Sequence, residues 1–382
     1  IGVNDGNDDD APTTAITVAS TGNTTIAGNL IIPDAGNIGS ASDTDAIAIS
    51  STGQVTFSQQ PKLAFASRNY LINGDFAVSQ RATSFASGSN DDTDYTLDRW
   101  KLFSDGNDIV DVSQITSGVP TGNKYALDLD VETANKKFGV AQIIENENCG
   151  DLIGQTVTLS FKAKVNATTN MDNVKAAIIA WSSTADDITD DMISAWGVEG
   201  TNPTLAANFT YENSPADLNV TTSWADYSVT AAVDTSSTTN IIVFIWSDVT
   251  TTTAGTDHLY LANVQLELGS HASNFQTEDY GTNLLKCQRY YRIVGLNTAA
   301  GNSSNNMYYT SLDISPSMNH DPTIEASYAH GLYSGNFETR VTTTWGSGVT
   351  LIDSTPESLV VRGGTSSSYN WIRGDVHLES EL

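Results

Sequence analysis

The side chains in this chain best suited to chemistry are aromatic rings set among amides and carboxylates. Seven Trp and fourteen Tyr are spread through a sequence rich in Asn, Asp and Thr. Rings of this kind stack on the C–H faces of sugars, while neighbouring Asp, Asn and Gln hydrogen-bond the hydroxyls. Loop positions on a rigid β scaffold are where binding residues concentrate. The glycan-binding candidates are therefore Trp181, Trp196 and Tyr211 in the middle of the chain, and Trp345, Tyr369 and Trp371, with Tyr308 and Tyr309, near its end. Trp196 lies in a polar loop beside Gly197 and is expected to expose its ring. Trp345, in Thr343-Thr344-Trp345-Gly346, reads as a hairpin tip. Trp100 and Trp224 read as core-strand residues, and Trp246 closes the most apolar run of the chain, Ile241 to Trp246.

Catalytic chemistry has no comparable signal. With 45 Asp and Glu, two carboxylates will meet somewhere by chance, so a pair such as Asp187 and Asp191 does not identify a sugar-cleaving site. No nucleophile-elbow, zinc-protease, dinucleotide or phosphate-loop pattern occurs. His258, His271, His320, His330 and His377 are scattered and read as surface or satisfied residues. Cys149 and Cys287 share no metal-ligand or redox spacing. The sequons at Asn166, Asn208 and Asn219 are expected by chance in a chain so rich in Asn and Thr. The expectation is a non-enzyme with no catalytic residues, no cofactor and no metal.

The net charge of −28 narrows the partners. A surface this acidic repels phosphate, which argues against nucleic acid, and it has no basic patch for an anionic membrane. No apolar run approaches the roughly 20 residues of a membrane-spanning helix, so membrane insertion is not expected. Association of several copies would multiply the repulsion, which suits a saline medium.

Strands and turns must position these groups, because Ser, Thr, Asn and Gly abound and long charged helix formers are scarce. The fold class expected is all-β, in three parts. Residues 1–66 are an acidic lead-in followed by a repetitive β shaft, in which short β-branched runs are broken by Thr-Gly-Asn and Ala-Gly-Asn turns. Such strands have no mate of their own and would intertwine with identical copies. Residues 67–279 read as an antiparallel β-sandwich or jelly roll. Val157, Leu159, Phe161, Ala163 and Val165 alternate with Thr158, Ser160, Lys162 and Lys164, and the run from Tyr125 to Val131 repeats the pattern. Residues 185–195 are expected to hold a helical turn. Residues 280–382 read as a small β tip, opened by a helix that Thr282 or Asn283 caps.

An ordered set of short motifs then resembles a known family. Asn69-Tyr70-Leu71-Ile72-Asn73-Gly74-Asp75-Phe76, running on to Gln80-Arg81-Ala82-Thr83-Ser84, is similar to the opening of a module found in bacteriophage tail fibres. Tyr95-Thr96-Leu97-Asp98-Arg99-Trp100 and Val264-Gln265-Leu266-Glu267-Leu268-Gly269 resemble its later elements, and Leu285-Lys286-Cys287-Gln288-Arg289-Tyr290-Tyr291 resembles the start of the C-terminal domain. Ser315-Pro316-Ser317-Met318 with Asp321-Pro322-Thr323 resembles a turn of that domain. The resemblance covers residues 68–382. It implies an extracellular virion protein, a homotrimer that joins other tail components through its N-terminus and meets a host cell-surface glycan through a carbohydrate-binding-module-like jelly roll. A purely structural fibre or capsid-decorating protein is the first alternative, and a polysaccharide-degrading tail enzyme the second. Related jelly rolls hold a calcium ion through a Glu and an Asp where this chain has Ala77 and Asn263, so the resemblance does not extend to that metal.

Overall fold

The computed structural model describes residues 37–40, 43–53, 55–57, 68–171, 173–188, 191–300, 307–313, 318, 323–324, 333–335, 349–355, 358–364 and 370–381. Two units, Ile1–Pro61 and Lys62–Leu382, make up the chain. In the first, β1 (Asn37–Ser40), β2 (Asp43–Ile49) and β3 (Val55–Phe57) form an antiparallel sheet in the order β1-β2-β3. Ile38 and Val55 stay largely exposed on it. The rest of the expected shaft, residues 1–36, 41–42, 54 and 58–66, lies outside the described residues.

The second unit contains a β-sandwich. One sheet has six strands, β14 (Ala225–Ala232), β9 (Thr156–Val165), β16 (His258–Leu268), β7 (Ala126–Val131), β6 (Val110–Ile115) and β4 (Ser84–Phe85), in that spatial order. The other has five, β13 (Phe209–Tyr211), β10 (Val174–Trp181), β15 (Asn240–Ser247), β8 (Phe138–Ile144) and β5 (Lys101–Ser104). The alternation read in β9 is realised. Val157, Leu159, Phe161, Ala163 and Val165 enter the core between the sheets, and Lys162 and Lys164 face outward.

Strands β10 and β15 break that alternation, being buried along their whole length. Their even and odd positions serve two different cores. Ile241, Val243 and Ile245 pack into the inter-sheet core, while Ile242, Phe244 and Trp246 pack on the other side against Trp181, Trp196 and Phe209. The segment between β10 and β13 covers the outer face of the five-stranded sheet and makes this second core. Within it, the helical turn expected over 185–195 is replaced by β11 (Ile193–Ala195), which pairs with β12 (Thr204–Leu205).

Three buried charges hold that cover down. Lys137 Nζ donates to the carbonyls of Val198 (2.8 Å), Trp196 (3.3 Å) and Thr201 (3.3 Å), and pairs with the Asp248 carboxylate. Lys175 Nζ reaches the same carboxylate at 2.7 Å, and the Gly200 N–H donates to it at 3.0 Å.

Helices are short. α1 (Asn146–Cys149) follows β8, and α2 (Tyr280–Cys287) opens the C-terminal part. The cap of α2 is Asp279, whose carboxylate accepts from the Gly281 and Thr282 N–H groups, one turn earlier than expected from the sequence. Beyond it, β17 (Tyr291–Ala300), β23 (Asn370–Glu379) and β19 (Thr323–Ile324) form one sheet, with β20 (Tyr333–Gly335) also on β23. A second sheet comprises β18 (Met307–Asp313), β22 (Ser358–Gly364) and β21 (Val349–Thr355). The boundary drawn at 279/280 falls inside the second unit, where buried ions cross it. Arg81 pairs with Glu379 at 2.9 Å and Glu381 at 3.4 Å, and Arg99 pairs with Glu381. The two guanidiniums also lie over the rings of Tyr291 and Tyr290, 3.8 and 3.5 Å from their centroids.

Candidate functional site

Neither Trp181 nor Trp196, singled out in the sequence, forms an open binding surface. Trp196, expected to be exposed, is only 8% exposed, and Trp181 only 6%. Both belong to the second core, where Trp181 packs on Phe209 at 4.6 Å and Trp196 lies 6.1 Å from Phe244. A loop reads as solvated from its composition, but this one lies on an apolar sheet face and its rings fill the gap. Tyr211 is half-buried, stacks on Trp246 at 6.5 Å and donates its hydroxyl to the Pro203 carbonyl. Trp371 sits in β23 opposite Ala299, and Trp345 and Tyr369 lie outside the described residues. Trp100 and Trp246 are fully buried, whereas Trp224 is half-exposed beneath Lys164.

Among the described residues, an open concave surface lies elsewhere, along the segment 68–77 where it meets β16, α1 and α2. Two adjoining cavities of about 480 and 380 Å³ share Asp75, Phe275 and Thr277 as lining. Their shared floor depends on a turn and a bulge. Asn73 adopts a left-handed φ of 58°, and its side chain accepts from the Val78 N–H and donates to the Val78 and Asp98 carbonyls. Gly74 follows, and a Cβ there would fall 2.0 Å from the Val264 carbonyl oxygen, so only glycine lets the turn approach β16. Opposite it, the pairing of β16 with β9 shifts register between Ala262 and Gln265, and Asn263 takes a φ of 54°. The bulge places the Asn263 amide in the smaller cavity, where it exchanges hydrogen bonds with the Asn123 amide at 2.5 and 3.3 Å.

Three rings flank these amides. Tyr280, the first residue of α2, is 55% exposed, and Phe275 and Tyr125 are half-buried. Lys124 Nζ lies 4.9 Å from the Tyr125 ring centroid. At the junction, Asp75 accepts from the Asn283 amide at 3.1 Å and the Ala77 N–H at 3.3 Å. Burial raises its pKa above the ordinary carboxylate value, and the two donors oppose that rise. The arrangement combines exposed ring faces with convergent amides and a carboxyl, the groups that hold a sugar ring by its C–H face and its hydroxyls.

The larger cavity is walled by a linked polar strip. Arg289 donates to both oxygens of Glu145, at 2.9 and 3.1 Å, and Tyr290 Oη and Asn148 Nδ2 donate to the same carboxylate. Asn148 Oδ1 then accepts from Arg68 Nη2 at 3.2 Å. Gln142 closes the base by exchanging two hydrogen bonds with the Ile72 backbone.

The residues do not suit calcium. Ala77 and Asn263 both line the smaller cavity, with Asp75 the carboxylate beside them, and the amides of Asn123 and Asn263 are spent on each other. A hard cation takes six to eight oxygens, and among the described residues no group of three or more His, Cys, Asp or Glu is placed to hold a metal.

Residue type and local pattern do not single out Tyr125, Phe275 and Tyr280 as binding residues. Tyr125 looked like the first residue of a strand. Phe275 and Tyr280 were the only signal available, two rings in a polar stretch with no apolar periodicity to bury them.

No family model matches this chain, and no curated protein matches it. Among solved structures it is similar to the enzymatically active domain of bacteriophage CBA120 tailspike protein 4, at 17% identity and a TM-score of 0.31, over 52% of this chain but 21% of that one. A CBM61 module in complex with β-1,4-galactotriose is similar at 14% identity and a TM-score of 0.30, covering 53% of this chain and 99% of the module. A CBM22 xylan-binding domain of Paenibacillus barcinonensis is similar at 13% identity and a TM-score of 0.30, covering 55% of this chain and all of the domain. Likeness this partial leaves the function to be argued from the groove residues themselves.

Proposed function

We propose that this chain is a glycan-binding attachment protein of a bacteriophage tail fibre. The observation that carries the reading is the groove, where Tyr125, Phe275 and Tyr280 border the Asn123–Asn263 amide pair and Asp75. The tail-fibre context is supported by the ordered motifs, whose residues also build the site. Asn73, Gly74 and Asp75 make the turn, and Arg289 and Tyr290 wall the larger cavity. The protein acts as a homotrimer on the outside of the virion, joined through its N-terminal part to other tail components. Exposed Ile38 and Val55 on the sheet of residues 37–57 support self-association of that segment, because a second copy would cover them. Three grooves per fibre turn weak binding into firm adhesion through effective concentration. The role proposed is binding, and in its support the groove acids Asp75, Glu145, Glu278 and Asp279 are each engaged by a donor or an ion pair.

Binding of the labelled full chain to bacterial cells and to arrayed surface glycans tests this. A Tyr125→Ala, Tyr280→Ala double variant should bind about 5- to 150-fold more weakly, at roughly 0.5–1.5 kcal/mol for each lost ring contact. Unchanged binding would refute the groove, released oligosaccharides would favour the enzyme, and a single-copy mass in sedimentation of the same sample would refute the trimer.

A further inference from the structure

The groove's charged groups differ in how much of their bonding capacity is used. Glu145 accepts from Arg289, Tyr290 and Asn148. Asp279 accepts from the first N–H groups of α2, Glu278 pairs with Lys286, and Asp75 holds the Asn283 amide. Each of these carboxylates is engaged by at least one of the protein's own donors. Arg68 is the exception. Its exposed guanidinium, with five N–H donors, makes one side-chain hydrogen bond, to Asn148, and no ion pair with another described residue. Its central carbon lies over the Tyr70 ring, 4.4 Å from the centroid, a contact that restrains the guanidinium before any ligand arrives.

The local charge points the same way. The chain carries 45 acids against 17 Lys and Arg, yet four of each line the larger cavity. The acid excess that would repel an anion elsewhere on the surface is absent there. The unmet capacity is donor capacity with a positive sign.

We infer that the groove takes an acidic glycan, with the carboxylate of a uronic-acid residue pairing with Arg68 and a neighbouring sugar stacked in the aromatic cavity. This rests on the glycan-binding reading of the same groove. A planar carboxylate matches the guanidinium fork with two parallel hydrogen bonds, which a hydroxyl does not. The Arg289–Glu145–Asn148 strip acts as positioning structure, holding Asn148 where it orients Arg68.

The test is a glycan array on which uronate oligosaccharides are printed beside their carboxyl-reduced and their sulfated neutral counterparts. It is probed with the full chain and with Arg68→Gln and Arg68→Lys. The uronate members should bind about tenfold more tightly than their reduced partners, the size of one charged hydrogen-bonded contact. That preference should shrink as salt rises, vanish in Arg68→Gln and survive in part in Arg68→Lys. Arg68 is exposed, so a thermal midpoint equal to that of the unaltered chain confirms that folding is intact. Equal binding of uronate and reduced members, or preference for the sulfated ones, overturns this inference and leaves the groove standing. Binding of none of them overturns both.

Discussion

Replacing Asp248 with Asn probes the reason the central tryptophans are inaccessible. The Asp248 side chain is wholly buried and sits between Lys137 and Lys175, both also buried, so the trio carries one net positive charge. Asp248→Asn keeps the shape and removes the only anion of the trio, leaving two buried ammonium groups facing each other. Breaking a buried pair by removing one partner costs about 3–5 kcal/mol. For a unit of this size each kcal/mol corresponds to about 2 °C, so the unfolding midpoint should drop by about 6–10 °C. Lys137→Met should cost less, about 1–3 kcal/mol, because Asp248 retains Lys175 and the loss is mainly three carbonyl acceptors, two of them on the exposed residues Val198 and Thr201. Differential scanning fluorimetry gives the midpoints, and tryptophan emission should shift to the red in both variants as Trp196 meets water. The reasoning fails if Asp248→Asn melts within 1 °C of the unaltered chain, or if Lys137→Met is the worse of the two.

Two further expectations concern the C-terminal attachment and pH. Glu381 has a nearly buried side chain and serves both Arg81 and Arg99, whereas Glu379 is 27% exposed and pairs with Arg81. Glu381→Gln should therefore cost about 3–5 kcal/mol in urea unfolding, with Glu379→Gln well below it; equal costs would contradict the assignment. His258, whose Nδ1 lies 2.9 Å from Asp128, has its pKa raised by that hydrogen bond, opposed by partial burial. A raised folded-state pKa gives stability that is full below the unfolded value of about 6.5 and is lost as pH climbs through the folded value. Midpoints measured from about pH 6 to 8 should fall with rising pH, and His258→Asn should flatten that part of the curve; an unaltered slope would discount the contact.

The strands of this protein were legible because burial on one face imposes a period of two. The alternation in β9 and the run after Tyr125 could be read directly from residue types. So could the continuous apolar stretch of β15, although not its cause, which is a second layer lying on that sheet. The turn Asn73-Gly74 was visible as a motif, but the need for glycine came from the Val264 carbonyl nearly two hundred residues away. Asn263 read as an ordinary residue of a strand until the bulge gave it a left-handed backbone and turned its amide toward Asn123.

The sequence by itself settled the β class, the acidity and the residue types available for holding a sugar, since these depend on composition and on neighbours one or two positions apart. Only the tertiary structure decided which rings are usable. Trp181 and Trp196 went into a second core because a segment of low local hydrophobicity was pinned there by Lys137, Asp248 and Lys175. Tyr125, Phe275 and Tyr280 line a cavity because no described element packs over the junction where their three segments meet. Exposure is a property of what the rest of the chain brings alongside, and contacts between residues far apart in sequence leave little trace in local pattern.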